Sequence, residues 1–362
     1  MMNDIVITAG CRTPIGTIGG QFKTLTALDL SIPIMKELVL RSGIDPACVD
    51  DVIWGCNYQR TYKENNLARV ALIKAGLPDS VPGITVHRNC TSSMSSVQMG
   101  YYQIKAGEAK CIFAGGADSM STAPHMVFNA RYGQKFGHME LRDSMWDSLT
   151  NLGVGPAMGI TAENVADTYH VTREDMDRYA LLSQQRAAAA IDAGHFQAEI
   201  IPITVHGKKG DIVYGTDEYP RRSTTLETLA KLNPSFKENG RVTAGNSSGM
   251  NDAAAGVVLM DRAYAEASGV QALARGVSVA TTGVPPEVMG IAPRAVLEKA
   301  GLGIGDIDLF EINEAFAAQC VACQRELGIP LEKLNVNGGG ISLGHPVGAT
   351  GVRIIISLMY EL

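Results

Sequence analysis

Hydrophobic and polar residues follow two alternating rhythms along the first 120 residues. Short apolar runs with β character predict buried strands at "DIVITAG" (4–10), "VDDVIWG" (49–55), "VPGITVHRNC" (81–90) and "CIFAGGADSM" (111–120). Segments of helical periodicity separate these runs, at "LTALDLSIPIMKELVLRSG" (25–43), "NNLARVALIKAGL" (65–77) and "TSSMSSVQMGYYQIKAGEAK" (91–110). Strands and helices that alternate in this way predict an α/β fold.

The same rhythm returns near the end of the chain. Strands are predicted at "ALARGVSVATTG" (272–283), "IDLFEIN" (307–313) and "LNVNGGG" (334–340). Helices are predicted at "APRAVLEKAGL" (292–302), "EAFAAQCVACQREL" (314–327) and "GATGVRIIISLMYEL" (348–362). The stretch "SGIDPACVDDVIWG" (42–55) also resembles "AGLGIGDIDLFEIN" (300–313). We interpret this as an internal duplication, with two strand-and-helix halves packed into a five-layered α/β/α/β/α body.

Residues 121–241 interrupt the rhythm with a segment richer in charge. Its longest helix is expected to begin at a capping box formed by Thr172 and Asp175 and to end at Gly194. An insert of this length usually covers a site or forms an oligomer contact. The expected division is therefore 1–120 with about 242–270 as the first half, 121–241 as a covering loop domain, and 271–362 as the second half.

The duplication also predicts a strand that the sequence does not supply. In the first half a helix of small residues leads into the strand "CIFAGG", whereas the matching helix of the second half runs to Leu362. An unpaired sheet edge in a buried layer is costly. We therefore expect the natural protein to continue past Leu362.

Composition excludes several classes of protein. The chain has 362 residues, 46 % of them hydrophobic and 19 % charged, and its net charge of -6 with scattered basic residues predicts no nucleic-acid partner. No secretory signal and no apolar run of the roughly 18 residues that a membrane helix needs are present. Seven cysteines without framework spacing favour the reducing cytoplasm. Cys320 and Cys323 are expected to form a packed helix face, and no metal site is predicted.

Cys90 is the first candidate for chemistry. It lies where a predicted strand meets a helix, and a helix N-terminus stabilises a thiolate through its dipole and free N–H groups. Four serines on that helix, at positions 92, 93, 95 and 96, are small enough for a partner layer to approach closely. A buried, inert thiol is the ordinary alternative.

His345 lies at the corresponding turn of the second half, within the glycine-rich stretch "NVNGGGISLGHPVGATG". If the halves are related by a pseudo-dyad, the two turns face one another and the imidazole can take the proton of Cys90. Asn313 follows a third strand in the same layer of loops, as a helix cap or as a ligand of a water or carbonyl oxygen. The stretch "TAGNSSGMNDAA" (243–254) is interpreted as a strand-to-helix turn whose Ser248 meets a polar ligand.

Taken together, "NEAFA", "GGGISLGHPVGATG", "GNSSGMNDAAA" and "CIFAGGADSMS" resemble the thiolase family, and specifically its acetyl-CoA acetyltransferases. The resemblance implies an acyltransferase that uses coenzyme A thioesters as substrates and has no permanently bound cofactor. It implies that Cys90 is the nucleophile, His345 its base and Asn313 the residue that positions the water of an oxyanion hole. Residues implied to line the coenzyme A site are Ser248, Arg221, Phe316, Met289 and Met158. The glycines around His345 would then leave room for a slim pantetheine arm.

The resemblance has further implications and some departures. The stretch "APHMVFNARYGQKFGHMELRDSM" (123–145) resembles the family's tetramerisation loop and implies a homotetramer. The family's second catalytic cysteine, in a Cys-x-Gly turn, would fall beyond Leu362. Thr91, Ser92 and Ser93 depart from the family's Cys-x-Ser-Gly, and Ala157 stands where its His-Met-Gly has histidine. Two alternatives remain: a thiolase-fold acyltransferase with another acceptor, and an inactive scaffold that binds acyl-CoA.

Overall fold

The computed structural model describes residues 4–58, 63–151, 153–293, 297 and 301–362. The α-helices are α1 (Ala27–Ser42), α2 (Leu67–Ala75), α3 (Ser92–Ala106), α4 (Ser144–Thr150), α5 (Met158–Thr168), α6 (Arg173–Ala193), α7 (Leu226–Ala230), α8 (Arg262–Ala267), α9 (Ala317–Leu327) and α10 (Thr350–Glu361). The strands are β1 (Ile5–Arg12), β2 (Gly16–Thr17), β3 (Asp51–Gly55), β4 (Gly83–Val86), β5 (Cys111–Ser119), β6 (His125–Val127), β7 (Leu141–Asp143), β8 (Ile203–Val205), β9 (Ile212–Tyr214), β10 (Asn251–Asp261) and β11 (Ala274–Gly276). Short 3₁₀ helices occupy Pro46–Cys48, Met120–Thr122, Ala130–Tyr132, Pro286–Ile291, Ile304–Asp306 and Leu331–Lys333.

One mixed sheet organises the first half, in the order β11-β1-β10-β5-β3-β4, with β2 paired to β10. β10 is antiparallel to both β1 and β5, whereas β3 is parallel to β5 and to β4. The interior strands read as continuous apolar runs because helices cover both faces. Trp54 of β3 is fully buried, and its indole lies over Gly115 of the adjacent β5 and Gly256 of β10, the strand beyond it, where a larger residue would collide with it.

Helices cover this sheet on both sides. α1 and α2 contribute Leu30, Ile34 and Leu72 to a core on one face. α3 and α10 contribute Val97 and Ile356 to a core on the other face. A separate core unites α5, α6 and α9, so the covering segment packs directly onto the second half.

Helix ends follow the sequence signals. Thr26 and Asp29 form a capping box on α1, which ends at Gly43 with φ of 65°. Thr172 and Asp175 do the same for α6, which ends at Gly194 in the left-handed conformation. The predicted end of α1 at Gly43 and both predicted ends of α6 are confirmed, whereas the capping box of α1 was not predicted. Each cap satisfies backbone groups that the helix itself leaves unpaired. Cys320 and Cys323 are buried on α9, as expected.

The second half differs from the prediction. Among the described residues, 307–313 and 334–340 form no extended strands and meet in a single parallel bridge between Phe310 and Leu334. The side chain of Asn335 takes the place of the next backbone pairing between these segments. Its amide accepts from the N–H of Ile312 and donates to the C=O of Ile312, both at 2.8 Å. β11 covers only three residues of the predicted strand at 272–283, and most of the helix predicted at 292–302 lies outside the described residues.

The segment 243–254 and two 3₁₀ helices can also be compared with the sequence predictions. The segment 243–254 is not a strand-to-helix turn, because its last residues begin β10, the longest strand of the sheet. The 3₁₀ helices Pro46–Cys48 and Ile304–Asp306 occupy matching positions in the two similar stretches, each just before a segment that pairs in parallel with a later one. This correspondence agrees with the interpretation of an internal duplication.

Candidate active site

Cys90 lies in the turn between β4 and α3. The preceding Asn89 has φ of 47°, a left-handed conformation that asparagine tolerates better than most residues. Ser92 closes the turn, because its Oγ accepts from the N–H of Arg88 at 2.9 Å and donates to the C=O of Asn89 at 2.7 Å. The thiol is half-buried and packs against a cluster formed by Tyr58, Met120 and Val347.

The thiol of Cys90 is protonated at neutral pH. Burial raises its pKa to about 11, while its own backbone N–H lowers the value and the nearby Asp118 carboxylate raises it. From the sequence, the N-terminus of α3 is expected to stabilise a thiolate at Cys90. That expectation is wrong for the ground state, because desolvation of the sulfur outweighs the backbone contribution. A nucleophilic role for Cys90 therefore requires a base.

His345 is buried, and two side chains fix it in place. Its N–H donates to Oδ1 of Asn251 at 2.9 Å, and its Nδ1 lies 2.7 Å from Oγ1 of Thr350. Because the Thr350 hydroxyl donates its only proton to the C=O of Pro346 at 3.0 Å, we assign the hydrogen between His345 and Thr350 to Nδ1. This assignment leaves Nε2 with a free lone pair.

Asn313 faces that lone pair. Its Nδ2 lies 3.4 Å from Nε2 of His345, an approach that suits a donor opposite an acceptor. Burial, with a smaller contribution from the buried Arg353 guanidinium, lowers the pKa of His345 to about 4. The imidazole is therefore neutral at physiological pH. Oδ1 of Asn313 is buried and has no hydrogen-bond partner among the residues that the structure describes, so it is available to a further donor.

The cysteine turn and the histidine loop belong to one neighbourhood. Val347, two residues after His345, is part of the cluster against which Cys90 packs. The N–H of Val352 donates to Oγ of Ser93 at 3.0 Å, which joins α10 to the first turn of α3. Ser93 is fully buried, which confirms that this serine permits close approach of a second layer.

The glycines around His345 make room for the protein itself. A Cβ at Gly339 or Gly340 would meet Glu314, and one at Gly344 would meet the side chain of Asn251. A Cβ at Gly348 would lie 2.8 Å from Ala117 O and from Asp118 Oδ2. The expectation that these positions stay bare for a ligand is therefore corrected at these four positions, because protein atoms already occupy the space.

The residues expected to line a ligand site fall into three places. Ser248 donates its N–H to the C=O of Ala315 at 3.0 Å, and Ser247 pairs with Phe316, so Ser248 and Phe316 lie together. The Phe316 ring packs edge-on against Phe236, with centroids 6.1 Å apart.

Arg221 lies at a cavity of about 570 Å³. Its guanidinium stacks over Tyr219, and its N–H donates to Oε1 of Gln184 at 2.8 Å. The lining includes a second cation, Arg222, and Gly245, which precedes Ser248 by three residues. Asp192 pairs with both terminal nitrogens of Arg222 at 2.8 Å, so Arg221 is the residue of this surface that suits a phosphate-bearing ligand.

Met158 begins α5, and Met289 lies in the 3₁₀ helix Pro286–Ile291 that packs against it. The Phe236 ring also lies directly against Gly159, so Phe236 connects this place with Phe316. Sequence reasoning missed Phe236, because an aromatic residue in the loop "NPSFKENG" carries no periodic signal.

The sequence analysis also missed three side chains around the histidine: Asp118, Asn251 and Thr350. Asp118 and Asn251 are polar residues at the ends of otherwise apolar strands, which is a signal that could have drawn attention to them. Within the described ranges, no group of three or more His, Cys, Asp or Glu is arranged to hold a metal ion. The described helices include none that is long and apolar enough to cross a bilayer.

Two family models match consecutive parts of the chain. The model described as thiolase, N-terminal domain, matches residues 5–263, and the model described as thiolase, C-terminal domain, matches residues 270–362. Together they account for nearly the whole sequence.

Named relatives and solved structures agree with these matches. An acetyl-CoA acetyltransferase of Syntrophomonas wolfei is 47 % identical across 100 % of this chain and 93 % of its own length. The crystal structure of the Bacillus anthracis acetyl-CoA acetyltransferase superposes with a TM-score of 0.95 at 44 % identity, covering 100 % of this chain and 92 % of the other. Human mitochondrial 3-ketoacyl-CoA thiolase in complex with CoA gives a TM-score of 0.95 at 42 % identity, with coverages of 99 % and 91 %.

Proposed function

We propose that this chain, which belongs to the thiolase family, is an acetyl-CoA C-acetyltransferase. It forms an acyl-cysteine at Cys90 and passes the acyl group to a second acyl-CoA to give a 3-ketoacyl-CoA, or runs the reverse thiolysis. The observation that carries the proposal is that Cys90 packs against a cluster that includes Val347, two residues after His345. Burial keeps the thiol protonated and the imidazole neutral, so a proton donor and a base are both present there.

The first half-reaction needs one proton transfer and one exchange of thioesters. Nε2 of His345 takes the proton of the Cys90 thiol, and the thiolate attacks the carbonyl carbon of the acyl-CoA. The carbon–sulfur bond to coenzyme A breaks as the bond to Cys90 forms. The departing coenzyme A thiolate then receives the proton from His345, so the histidine ends neutral.

The developing oxyanion requires donors during this step. The backbone N–H of Cys90 is suited to the acyl-enzyme, and a water held by Asn313 is suited to the carbonyl of the second substrate. The unpartnered Oδ1 of Asn313 supports this role, because a buried acceptor without a donor is costly unless a water or ligand fills the position.

Coenzyme A is proposed to lie along the three places described above. Arg221 is suited to the phosphate and adenine end, and Ser248 to the pantetheine amides. Phe316, Met289 and Met158 would form the walls that lead to Cys90. Coenzyme A thioesters enter as substrates, and no resident cofactor is required by this chemistry.

We also propose a homotetrameric, cytoplasmic enzyme of fatty acid metabolism. The loop 123–145 supports the assembly, because its large apolar side chains face solvent: Phe136 is 96 % exposed and Tyr132 86 %. The seven cysteines, all within the described residues, form no disulfide, which supports the compartment. The proposed domain division is 1–120 with about 242–270 as the first half, 121–241 as the covering loop domain, and 271–362 as the second half.

Exchange of labelled coenzyme A into unlabelled acetyl-CoA tests the first half-reaction alone. We expect wild-type protein to catalyse exchange and to carry one acetyl group on the Cys90 peptide, as read by mass spectrometry. Cys90→Ala should abolish both signals. Cys48→Ser is the matched control, since Cys48 is also half-buried but lies far along the chain in a 3₁₀ helix. Acetylation of Cys48 instead of Cys90, or no exchange by wild-type protein, would refute the proposal.

A further inference from the structure

Asp118, near the end of β5, accepts hydrogen bonds from three backbone N–H groups in one buried site. Its carboxylate accepts from Asn57 at 3.1 Å, from Tyr58 at 2.9 Å and from Gly348 at 2.5 Å. Asp118 itself is fully buried. A carboxylate with several charge-assisted hydrogen bonds holds its donors more firmly than neutral pairs do.

These three N–H groups come from different halves of the molecule. Asn57 and Tyr58 follow β3, and Tyr58 is part of the cluster against which Cys90 packs. Gly348 follows His345 by three residues in the histidine loop, defined here as residues 344–348. The carboxylate therefore joins the cysteine side of the site to the histidine side through a single residue.

Close packing makes the arrangement specific. A Cβ on Gly348 would lie 2.8 Å from Asp118 Oδ2, so only glycine allows the backbone of the loop to contact the carboxylate. Asn251 on the adjacent β10 holds the other end of the loop, through its bond to the N–H of His345 and a bond of 3.0 Å to the C=O of Gly16. Two sheet residues thus anchor both ends of the histidine loop.

We propose that Asp118 is a positioning residue for acyl transfer, which fixes the histidine loop against the turn that carries Cys90. The inference rests on the proposed function. The position of the imidazole matters because the thiol keeps its proton in the resting protein, and a base that is displaced by about 1 Å can cost roughly 100-fold in rate. The negative charge of Asp118 also raises the pKa of Cys90, which strengthens the dependence on His345.

Asp118→Asn tests the inference, because the amide keeps the size but turns one acceptor into a donor that faces backbone N–H. We expect the rate of Cys90 acetylation to fall about 100-fold while the KM for acetyl-CoA stays within about twofold. Hydrogen exchange at the amides of Asn57, Tyr58 and Gly348 should speed up. A residue that only supports the fold would change the melting temperature without this split between rate and KM.

Asp50→Asn is the matched control. Asp50 accepts from the N–H groups of Lys110 and Cys111 at the opposite end of β5, so it has similar chemistry at a distance from the site. We expect unchanged acetylation in this variant. An equal fall in Asp50→Asn, or a wild-type rate in Asp118→Asn with its three amides deprotected, would overturn the inference.

Gly348→Ala gives a second readout if Asp118→Asn does not fold. The added methyl group displaces the histidine loop from the carboxylate and leaves the bonds to Asn57 and Tyr58 in place. A fall in acetylation without a change in KM supports the inference, whereas a wild-type rate contradicts it. Absence of acetylation in wild-type protein would instead refute the proposed function, and the amide exchange would still test the contact of Asp118.

Discussion

The two halves of the molecule hold their functional residues by different means. The cysteine turn is attached to a sheet whose strands pair with one another over many residues, as β10 and β5 do from Asp252–Ser119 to Met260–Cys111. The histidine loop lies in a region where polar side chains bind the backbone. Asn335 binds Ile312, Glu314 accepts from Ile341 at 3.1 Å, and Asn251 binds His345.

The difference indicates where single substitutions should matter most. A strand in a ladder shares its stability among many backbone hydrogen bonds, so the loss of one side chain leaves the backbone paired. A loop held by one buried side chain loses several bonds at once, and backbone groups are then left without partners. We therefore expect the second half to be the more sensitive of the two.

The largest effect is expected at the base itself. His345→Ala should lower the coenzyme A exchange rate about 10³-fold, equivalent to about 4 kcal/mol, because the protonated thiol of Cys90 then has no acceptor. Exchange kinetics at saturating acetyl-CoA measure this. His206→Ala, which changes an exposed histidine, should retain the wild-type rate. Equal activity in both variants would contradict the assignment of the base.

Acid should destabilise the folded protein through the same residue. The folded-state pKa of His345 is lowered to about 4 from an ordinary 6.5, so the unfolded chain binds the extra proton between these values. The stability that the neutral imidazole contributes is therefore present above pH 6.5 and is lost as the pH falls toward 4, by about 3 kcal/mol. Urea unfolding across this range should show a shallower loss in His345→Gln than in wild type.

Asn335→Ala should destabilise the fold by roughly 2 to 3 kcal/mol. The buried amide binds Ile312 twice, Glu314 at 3.0 Å and the Tyr179 hydroxyl at 3.1 Å. Its removal takes away the partner of the Ile312 N–H and C=O, whereas Glu314 and Tyr179 stay bonded to each other. Asn66→Ala is the matched change in the first half, since Asn66 caps α2 at an exposed position. It should cost about 1 kcal/mol. Unfolding free energies that are equal for the two variants would remove the contrast between the halves.

The smallest effect is expected at Thr350. Thr350→Val removes the hydroxyl that selects the hydrogen on Nδ1 of His345, and we expect about a tenfold loss in exchange, or roughly 1.4 kcal/mol. Thr350→Ser keeps the hydroxyl and should restore the rate. If valine and serine behave alike, the tautomer is set by Asn313 alone.

Local sequence signals predicted much of the first half and the longest helix of the covering segment. The terminal glycines at 43 and 194 and the capping box at Thr172 mark helix ends, because caps involve groups only a few residues apart. The predicted strand at 307–313 failed for the opposite reason. Its apolar pattern is correct for β structure, but the pairing of its backbone depends on Asn335, more than 20 residues away along the chain.

The candidate site also has a part that the sequence predicts and a part that only the packed structure shows. The motifs around Cys90, His345 and Asn313 singled these residues out before any coordinates were known. Their protonation states could not be predicted, because burial of the sulfur and of the imidazole depends on what packs over them. Asp118 meets Gly348 across 230 residues and Asn251 meets His345 across 94, and no local pattern reports such pairs.

The sequence by itself determined the family, the order of the elements in the first half and the candidates for the reacting groups, because these depend on motifs and on periods of two or 3.6 residues. The tertiary structure alone decided which proton sits on which atom and which side chains hold the histidine loop. The physical reason is that desolvation and hydrogen bonding between distant segments are properties of packed neighbours, and neighbours in space are not neighbours along the chain.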